Sequence, residues 1–223
     1  MKMAMECAQV FEEYFPFWNK LNQVEQEQLC RNAQLVQYAK GQNVHGGNVC
    51  TGMIIVQSGC LRAYMLSEEG REITLYRLRP GEICMLSASC VLQTITFDVF
   101  VDAEEDSQCY LINGPAFKDL SERNLLVKTY ALETAVGRFS DVMWVMQEIL
   151  FMSMDRRVAK FLLEEAGDGA VVKLTHEQIA KYMGTAREVI SRMVKYFVAE
   201  GVITSSRGSI NIKDKERLRA LAE

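Results

Sequence analysis

Residues 174–197 carry the spacing that most restricts how this chain can fold. Ala180 is followed four positions later by Gly184, and Ile190 stands six positions beyond that glycine. Glycine supplies the positive φ of a tight turn between two helices, and alanine lets the helices approach closely. Because this spacing is typical of a helix-turn-helix, it predicts a DNA-binding domain in the C-terminal part of the chain.

Two threonines are placed to begin the helices of this motif. Thr175 with Gln178, and Thr185 with Glu188, have the spacing of a capping box, in which two residues exchange side chain to backbone hydrogen bonds. The sequence therefore predicts one helix that begins after Thr175 and a second helix that begins after Thr185.

The second predicted helix has an apolar face and a polar face. The apolar face, expected in the core, consists of Val189, Ile190, Met193, Val194 and Phe197. The opposite face consists of Arg187, Glu188, Ser191, Arg192 and Lys195. Arginine is bidentate to guanine and glutamate accepts from the cytosine amino group, so this face has the groups that read a major groove. The predicted DNA-binding residues are Thr175, Thr185, Arg187, Glu188, Ser191, Arg192, Lys195 and Arg207.

A β-hairpin is predicted after the second helix. Apolar runs at 202–204 and 210–212 flank a polar turn that places Arg207 at its tip. Such a hairpin is either a wing whose arginine binds a DNA phosphate or a hairpin that only covers the core. The sequence leaves both interpretations open.

The first half of the chain has the pattern of an antiparallel β-domain. A helical segment at 5–30, interrupted at Pro16, precedes short β-rich runs that alternate with glycine-bearing and acidic turns. The runs lie at 53–56, 61–65, 73–78, 94–101 and 109–112. Many short strands separated by regular turns indicate an antiparallel sandwich or roll.

A long apolar helix is predicted from about residue 122 to residue 151. Its apolar side chains form three rows that repeat every seven residues. The rows are Leu125, Leu132, Phe139 and Met146; Ala135, Val142 and Ile149; and Val136, Met143 and Leu150. So wide an apolar surface packs either on its own β-domain alone or partly against a second copy of the chain. We favour the second copy, which predicts a homodimer.

Charge is distributed unevenly along the chain. Residues 154–223 contain 13 Lys and Arg against 10 Asp and Glu, whereas the rest has 12 against 19, which together give the net charge of -4. An acidic front part and a basic back part predict two modules, the second suited to an anionic polymer. The chain has no signal-peptide pattern and no apolar run of about 18 residues, so we expect a cytoplasmic protein without membrane contact.

The order of β-domain, long helix, helix-turn-helix and hairpin resembles the Crp/Fnr superfamily of bacterial regulators, as do the motifs Arg79-Pro-Gly-Glu82 and Arg187-Glu-Val-Ile-Ser-Arg192. The resemblance implies an α+β fold: an N-terminal antiparallel β-roll of the jelly-roll, cyclic-nucleotide-binding-like type, a long dimerisation helix and a C-terminal winged helix-turn-helix. The implied divisions are a sensor domain with N-terminal helices at 1–118, the dimerisation helix at 119–153 and the DNA-binding domain at 154–223.

The same resemblance implies a dimer that binds double-stranded DNA at an inverted-repeat operator. Glu188, Ser191 and Arg192 match the Glu-x-x-Ser-Arg pattern of the Fnr-like branch, which implies half-sites with a TTGA-like core. In that pattern Arg192 reads the guanine, Glu188 an adjacent position and Ser191 a thymine or its neighbour. Arg187 is assigned to a base edge or a phosphate. An activator of this family would also contact RNA polymerase.

The signal sensed by the β-domain is less constrained. Cyclic-nucleotide-binding members of the family carry an Arg and a Ser or Thr for the phosphate at the positions of Phe97 and Asp98, and residues 83–108 contain no Arg or Lys. A carboxylate there repels phosphate, so the sequence disfavours cyclic AMP and cyclic GMP. We instead expect an unidentified small-molecule effector in a largely apolar pocket; the predicted effector-binding residues are Glu82, Met85, Leu86, Phe97 and Val99.

The cysteines and histidines allow other sensor chemistries to be compared. The seven cysteines are odd in number and irregularly spaced, which predicts free thiols in a reducing cytosol. Cys7 and Cys30 stand alone in the N-terminal region, which does not support an iron–sulfur cluster. Redox sensing by Cys84 and Cys90, or haem ligation by His45, is kept as an alternative signal. No cofactor and no metal site are predicted.

Two other functional classes were compared with a DNA-binding regulator. An enzyme of the cupin type requires two or more histidine ligands for its metal, and only His45 lies in the β-domain, so no enzymatic activity is predicted. The second class is a scaffold whose helix-turn-helix binds protein rather than DNA.

Overall fold

The computed structural model describes residues 2–47, 50–85, 87 and 98–223. The chain divides into two compact units. The first consists of Met1–Leu66 and Leu75–Val142, and the second of Ser67–Thr74 and Met143–Glu223. The effector-pocket predictions for Leu86 and Phe97, and the redox prediction for Cys90, lie outside the described residues.

The N-terminal part of the first unit is helical. Its helices are α1 (Lys2–Tyr14), a short 3₁₀ helix (Trp18–Lys20) and α2 (Gln23–Arg31). The predicted interruption at Pro16 is confirmed, since α1 ends two residues before it. Asn22 caps α2 in a full capping box, in which its side chain accepts from the Glu25 N–H and Glu25 accepts from the Asn22 N–H.

Among the described residues, the β-roll contains eight strands. They are β1 (Ala33–Tyr38), β2 (Asn43–Gly47), β3 (Met53–Ser58), β4 (Leu61–Leu66), β5 (Glu72–Leu78), β6 (Ile83–Cys84), β7 (Val99–Ala103) and β8 (Ser107–Ile112). One four-stranded sheet has the order β1-β8-β3-β6, and the other has the order β2-β7-β4-β5. Pairs such as β1 with β8 and β4 with β7 are antiparallel, so the predicted antiparallel roll is confirmed.

Side chains of the two sheets fill the interior of the roll. Strand β7 gives the clearest alternation: Val99, Val101 and Ala103 are buried, whereas Phe100 and Asp102 between them are half-buried. The inward side chains of β7 join one apolar cluster with Ile54, Val56, Leu61, Leu78 and Cys109.

A second apolar cluster joins the helices to the roll. After β8 the chain forms α3 (Gly114–Arg123) and α4 (Leu125–Phe151). Aromatic rings of α1 pack edge to face here; Phe11 lies 5.7 Å from Trp18 and 5.6 Å from Tyr110 between ring centroids. Phe117 of α3 and Val127 of α4 complete the cluster. The long helix predicted from about 122 to 151 is therefore confirmed, although it begins only after α3, which was not predicted.

The second unit contains the C-terminal helices and a small sheet. Its elements after α4 are α5 (Met154–Ala166), β9 (Val171–Val172), α6 (His176–Met183), α7 (Arg187–Ala199), β10 (Ile203–Ser206), β11 (Ser209–Ile212) and α8 (Lys215–Ala222). The strand order is β10-β11-β9. Side chains from all three helices before the hairpin meet in one core, which includes Leu162, Ile179, Ile190 and Phe197.

One expectation about the cysteines is wrong. Cys7 of α1 and Cys30 of α2 form a disulfide, with a Cα–Cα distance of 5.8 Å. The prediction failed because the sequence separation of 23 residues is bridged by helix packing, which the cysteine spacing does not reveal. Cys60, Cys84 and Cys109 are free and buried, as small apolar side chains often are.

Replacing Phe117 tests the cluster that joins the helices to the roll. Phe117 is fully buried in that cluster. We expect Phe117→Ala to lower the free energy of unfolding by about 3–5 kcal/mol, because it removes apolar contact and leaves a cavity. Urea denaturation followed by far-UV circular dichroism measures the change. Val24→Ala, at a side chain that is 74% exposed, is the control and should change stability by less than about 0.5 kcal/mol.

Candidate functional site

Helix α6 begins and ends as the sequence predicted. The Thr175 hydroxyl accepts from the Gln178 N–H at 3.2 Å, and the Gln178 side chain accepts from the Thr175 N–H at 2.8 Å, so the first capping box is confirmed. At the other end, Gly184 has a φ of 65°, in the left-handed region expected of the turn. The Thr185 N–H then donates to the Ala180 carbonyl at 3.0 Å and closes the helix end.

The second predicted capping box is wrong. Helix α7 begins at Arg187, and its N-cap residue is Ala186, which makes no side-chain capping bond. The reason is that the backbone N–H of Thr185 already terminates α6, so this residue belongs to the end of the first helix. The first turn of α7 still carries an acidic residue, Glu188, which is favourable beside the positive end of the helix dipole.

The segment Ser67–Thr74 packs against the turn of the helix-turn-helix. Glu72 pairs with Lys181 of α6, with 2.9 Å between carboxylate oxygen and ammonium nitrogen. A Cβ atom at Gly184 would come within 2.5 Å of Ile73 Cγ1, so this close approach also requires glycine at position 184. The predicted turn residue is therefore restricted by its φ and by its neighbour.

Helix α7 separates its two faces as predicted. Ile190, Val194 and Phe197 are buried in the core of the second unit. The exposed side chains of the opposite face are those of Arg187, Glu188, Arg192 and Lys195. Ser191 differs from them, because it is half-buried and its Oγ lies 3.0 Å from Nδ1 of His176. The assignment of these residues to DNA stays a prediction.

The hairpin after α7 has a two-residue turn. Ser206 pairs with Ser209, so Arg207 and Gly208 form the tip. Gly208 has a φ of 74°, and the Arg207 side chain is exposed. The geometry is that of a wing that presents one cation to its surroundings.

Helix α4 exposes a continuous apolar seam. The seam residues follow each other at alternating intervals of four and three, which is the pattern of a coiled-coil interface. They are Leu132, Val136, Phe139, Met143, Met146 and Leu150, all exposed. Val127 and Ala131 lie on the buried face of the same helix. An exposed apolar surface of this length is typical of an interaction site.

Residues predicted to bind an effector lie in different surroundings. Met85 is buried in the cluster with the N-terminal helices, and Val99 is buried in the interior of the roll. Glu82 is half-buried, and both of its carboxylate oxygens are bonded. One accepts from the Arg79 N–H at 2.7 Å, and the other accepts from the Arg138 guanidinium of α4 at 3.2 Å.

Arg138 connects this carboxylate to further groups of the first unit. Its guanidinium also pairs with Asp141 at 3.0 Å and lies 4.8 Å from the ring centroid of Tyr76. The Tyr76 hydroxyl is 3.9 Å from Sγ of Cys84, and burial holds the pKa of Tyr76 well above its ordinary value. Glu82, Tyr76 and Arg138 thus form one polar network in an otherwise apolar region.

His45, the haem candidate, is buried. Its Nδ1 lies 2.7 Å from the Thr51 hydroxyl, and burial lowers the pKa of the imidazole, so the ring is neutral near pH 7. Within the described residues, no group of three or more His, Cys, Asp or Glu is arranged to hold a metal ion. Among the helices of the same residues, none combines the length and the apolar character needed to cross a membrane.

The β-roll, the long helix and the capped helix-turn-helix with its wing define a two-domain DNA-binding regulator. Domain profiles agree: a cyclic nucleotide-binding domain matches residues 35–124, and a Crp-like helix-turn-helix domain matches residues 156–221. The chain belongs to the Crp/Fnr family of transcriptional regulators, which confirms the resemblance noted from its motifs.

Individual relatives support this assignment over nearly the whole chain. A solved structure of a Crp/Fnr-family protein from Eubacterium rectale is 45% identical, with a TM-score of 0.91, over 94% of this chain and 99% of that one. A cyclic AMP receptor protein of Thermus thermophilus is 24% identical over 83% of this chain and 86% of its own length. The transcriptional regulator SdrP of the same organism is 27% identical over 75% and 82%, respectively.

The two threonines of the motif provide a matched stability test. Thr175→Ala removes a capping acceptor, so we expect the free energy of unfolding to fall by about 1 kcal/mol. Thr185→Ala removes no capping bond and should change it by less than about 0.5 kcal/mol. Urea denaturation followed by circular dichroism compares the two variants. Equal losses would contradict the assignment of Ala186 as the N-cap residue of α7.

Proposed function

We propose that this regulator binds double-stranded DNA as a homodimer, at an inverted repeat with TTGA-like half-sites. The observation that carries the proposal is the exposed polar face of α7, which presents Arg187, Glu188, Arg192 and Lys195 on a helix anchored by buried Ile190 and Phe197. A rigid helix with this face has the donors and acceptors needed to distinguish base pairs in a major groove.

Each exposed residue has a proposed role. Arg192 donates two hydrogen bonds to guanine, and Glu188 accepts from the base paired at an adjacent position. Arg187 binds a base edge or a phosphate. Ser191 is assigned to a thymine or its neighbour. Four further predicted contacts place the protein on the phosphate backbone; they are Thr175, Thr185, Lys195 and Arg207. This assignment gives sequence preference to Arg192, Glu188 and Ser191, general affinity to the phosphate contacts, and either role to Arg187.

The dimer is proposed from the apolar seam of α4. Six exposed apolar residues spaced at alternating intervals of four and three match the core positions of a two-stranded coiled coil. A second copy of the same seam provides the complementary apolar surface, because a two-fold interface joins identical patches. Two recognition helices can then enter major grooves about 34 Å apart, one turn of DNA.

The seam is tested by placing a charge in its centre. Phe139 is 64% exposed in the single chain, and we expect Phe139→Glu to dissociate the dimer because it buries two carboxylates in an apolar interface. Sedimentation equilibrium should then give the one-chain mass of 25.3 kDa. Gly137→Glu adds the same charge two residues away, outside the seam and with no atom near its Cβ position, and should remain dimeric.

The sensed signal is proposed to be a small molecule other than a cyclic nucleotide. One relative is a cyclic AMP receptor protein, but residues 83–108 of this chain contain no Arg or Lys for a phosphate, and the Glu82 carboxylate is engaged by Arg79 and Arg138. An effector that bonds to Glu82 would break the hydrogen bond between Glu82 and Arg138, and would thereby remove a contact between the roll and α4. Redox chemistry at Cys84 and Cys90 and haem binding at His45 are the alternative signals.

The remaining assignments follow from the family and from the sequence. We assign sensing to residues 1–118, dimerisation to 119–153 and DNA binding to 154–223, in a cytoplasmic protein. Family members are transcriptional regulators rather than enzymes, which supports a role without catalysis. If the protein activates transcription, RNA polymerase is its further partner.

Sequence preference is tested at Arg192. We expect Arg192→Ala to reduce the affinity ratio between a TTGA-type inverted repeat and a mixed-sequence duplex by about 5- to 150-fold per half-site, because one bidentate base contact is worth about 1–3 kcal/mol. Binding to the mixed duplex should remain and should still weaken with salt. Fluorescence anisotropy with both duplexes measures the ratio.

Arg207→Ala is the matched control for that experiment. Replacing a residue that binds only phosphate should weaken binding to both duplexes alike and should reduce the salt slope by about 1 per protomer. An Arg192→Ala protein that retains the operator preference of the wild type would contradict the assignment of Arg192 to a base. A wild-type protein with no preference for any inverted repeat would favour the scaffold alternative.

A further inference from the structure

His176 makes a contact in the candidate interface that the sequence did not predict. It is the first residue of α6, and its half-buried imidazole bonds through Nδ1 to Ser191 Oγ of α7, at 3.0 Å. The two residues are 15 positions apart, on the two helices of the motif. Among the described residues, the other ring nitrogen, Nε2, has no hydrogen-bond partner.

The surroundings of the ring are open and positively charged. His176 and Ser191 line a groove that also includes Lys195 of α7 and Ser205 of β10, the first strand of the wing. Arg187 interacts electrostatically with the imidazole from the first turn of α7. Two cations beside a free imidazole nitrogen, between the recognition helix and the wing, are suited to a polyanion.

The chemistry of the hydrogen bond determines what the free nitrogen can do. A serine hydroxyl that donates to Nδ1 requires the proton of a neutral imidazole to be on Nε2, so that Nε2 becomes a donor. A protonated imidazole also donates from Nε2, and its Nδ1–H then donates to the serine oxygen. Nε2 therefore carries a proton when Ser191 donates to Nδ1 and when the ring is protonated, and in both cases it can act as a donor.

We propose that His176 is a DNA-contact residue whose Nε2–H donates to a backbone phosphate, and that Ser191 is a positioning residue that orients this imidazole. The proposal rests on the DNA-binding function proposed above and changes the part played by one residue in it. Ser191 acts on DNA through His176, since its hydroxyl is already engaged at the boundary between the two helices.

A phosphate contact by histidine has a signature in the pH dependence of binding. In the free protein, burial and then Arg187 lower the pKa of His176 below 6.5, so the ring is neutral near pH 7. Ser191, Arg187 and Lys195 face it from α7 and Ser205 from β10, and the exposed Glu177 is the next residue of its own helix. A bound phosphate raises this pKa, so affinity increases as the pH falls through the pKa of the complex and becomes constant below that of the free protein.

The experiment measures DNA affinity against pH and salt. The full-length dimer is titrated by fluorescence anisotropy from about pH 8 to about pH 5.5, with a duplex that the wild type selects from a random pool and with a mixed-sequence duplex. A one-unit rise in the pKa of His176 gives up to about tenfold tighter binding per protomer at the lower pH. The salt slope should steepen by up to about 0.9 per protomer as the imidazole becomes charged.

Variants separate the contact from its positioning. His176→Gln should abolish the pH response with both duplexes. Ser191→Ala should weaken it, and Ser191→Thr, which keeps the hydroxyl, should restore it. The chain has two histidines, so His45→Gln is the control for titration elsewhere and should retain the full response. Lys195→Gln is a second control, and should lower the salt slope at every pH without removing the response.

Several outcomes would overturn the inference. One is a His176→Gln protein that keeps the wild-type pH response. Another is a response confined to the selected duplex, which would indicate a base contact instead of a phosphate contact. A third is a Ser191→Ala protein that changes base preference with an unaltered pH response, which would make Ser191 a base reader. A wild-type protein that selects no duplex refutes the proposed operator instead, whereas the response with the mixed duplex still decides the role of His176.

Discussion

The hydrogen bond from the Thr185 N–H to the Ala180 carbonyl is the constraint on which the DNA-binding unit depends. It ends α6 and directs the chain through Gly184 into α7, whose axis is then set by the burial of Ile190 and Phe197. Because the buried face is fixed in this way, the exposed face of α7 is fixed too. Local backbone geometry therefore determines which side chains are available to a ligand, before any electrostatic attraction operates.

In the first unit, a comparable role belongs to the charged network around Arg138. A guanidinium this enclosed requires partners, and Glu82, Asp141 and the Tyr76 ring provide them. Glu82 and Tyr76 come from the roll and Asp141 comes from α4 itself, so the network connects the helix to the roll. A change at Glu82 leaves the arginine with one carboxylate partner fewer, and we propose this cost as the physical means by which an event in the roll reaches α4.

Local patterns allowed much of this structure to be predicted. The spacing around Gly184 predicted the helix-turn-helix, and the seven-residue repeat of apolar residues predicted α4. In both cases the pattern lies within one continuous segment of the sequence. Thr185 was misassigned because the sequence shows only that a glutamate stands three positions after it. It does not show that the Thr185 N–H already donates to the Ala180 carbonyl. Strand β1 was missed since, among the described residues, it pairs only with the distant β8, and half of its residues are exposed. The contact between His176 and Ser191 joins two helices and has no periodic signal.

The disulfide between Cys7 and Cys30 acts on the unfolded state of the chain. Their link closes a loop with a sequence separation of 23 residues, which lowers the conformational entropy of the unfolded chain by the equivalent of about 3 kcal/mol. In the chain-entropy account, reduction acts by enlarging the unfolded ensemble, and the folded contacts of Phe11 and Leu29 contribute separately. The resistance of the N-terminal helices to unfolding is thus partly a property of the denatured protein, and it varies with the thiol chemistry of the surrounding solution.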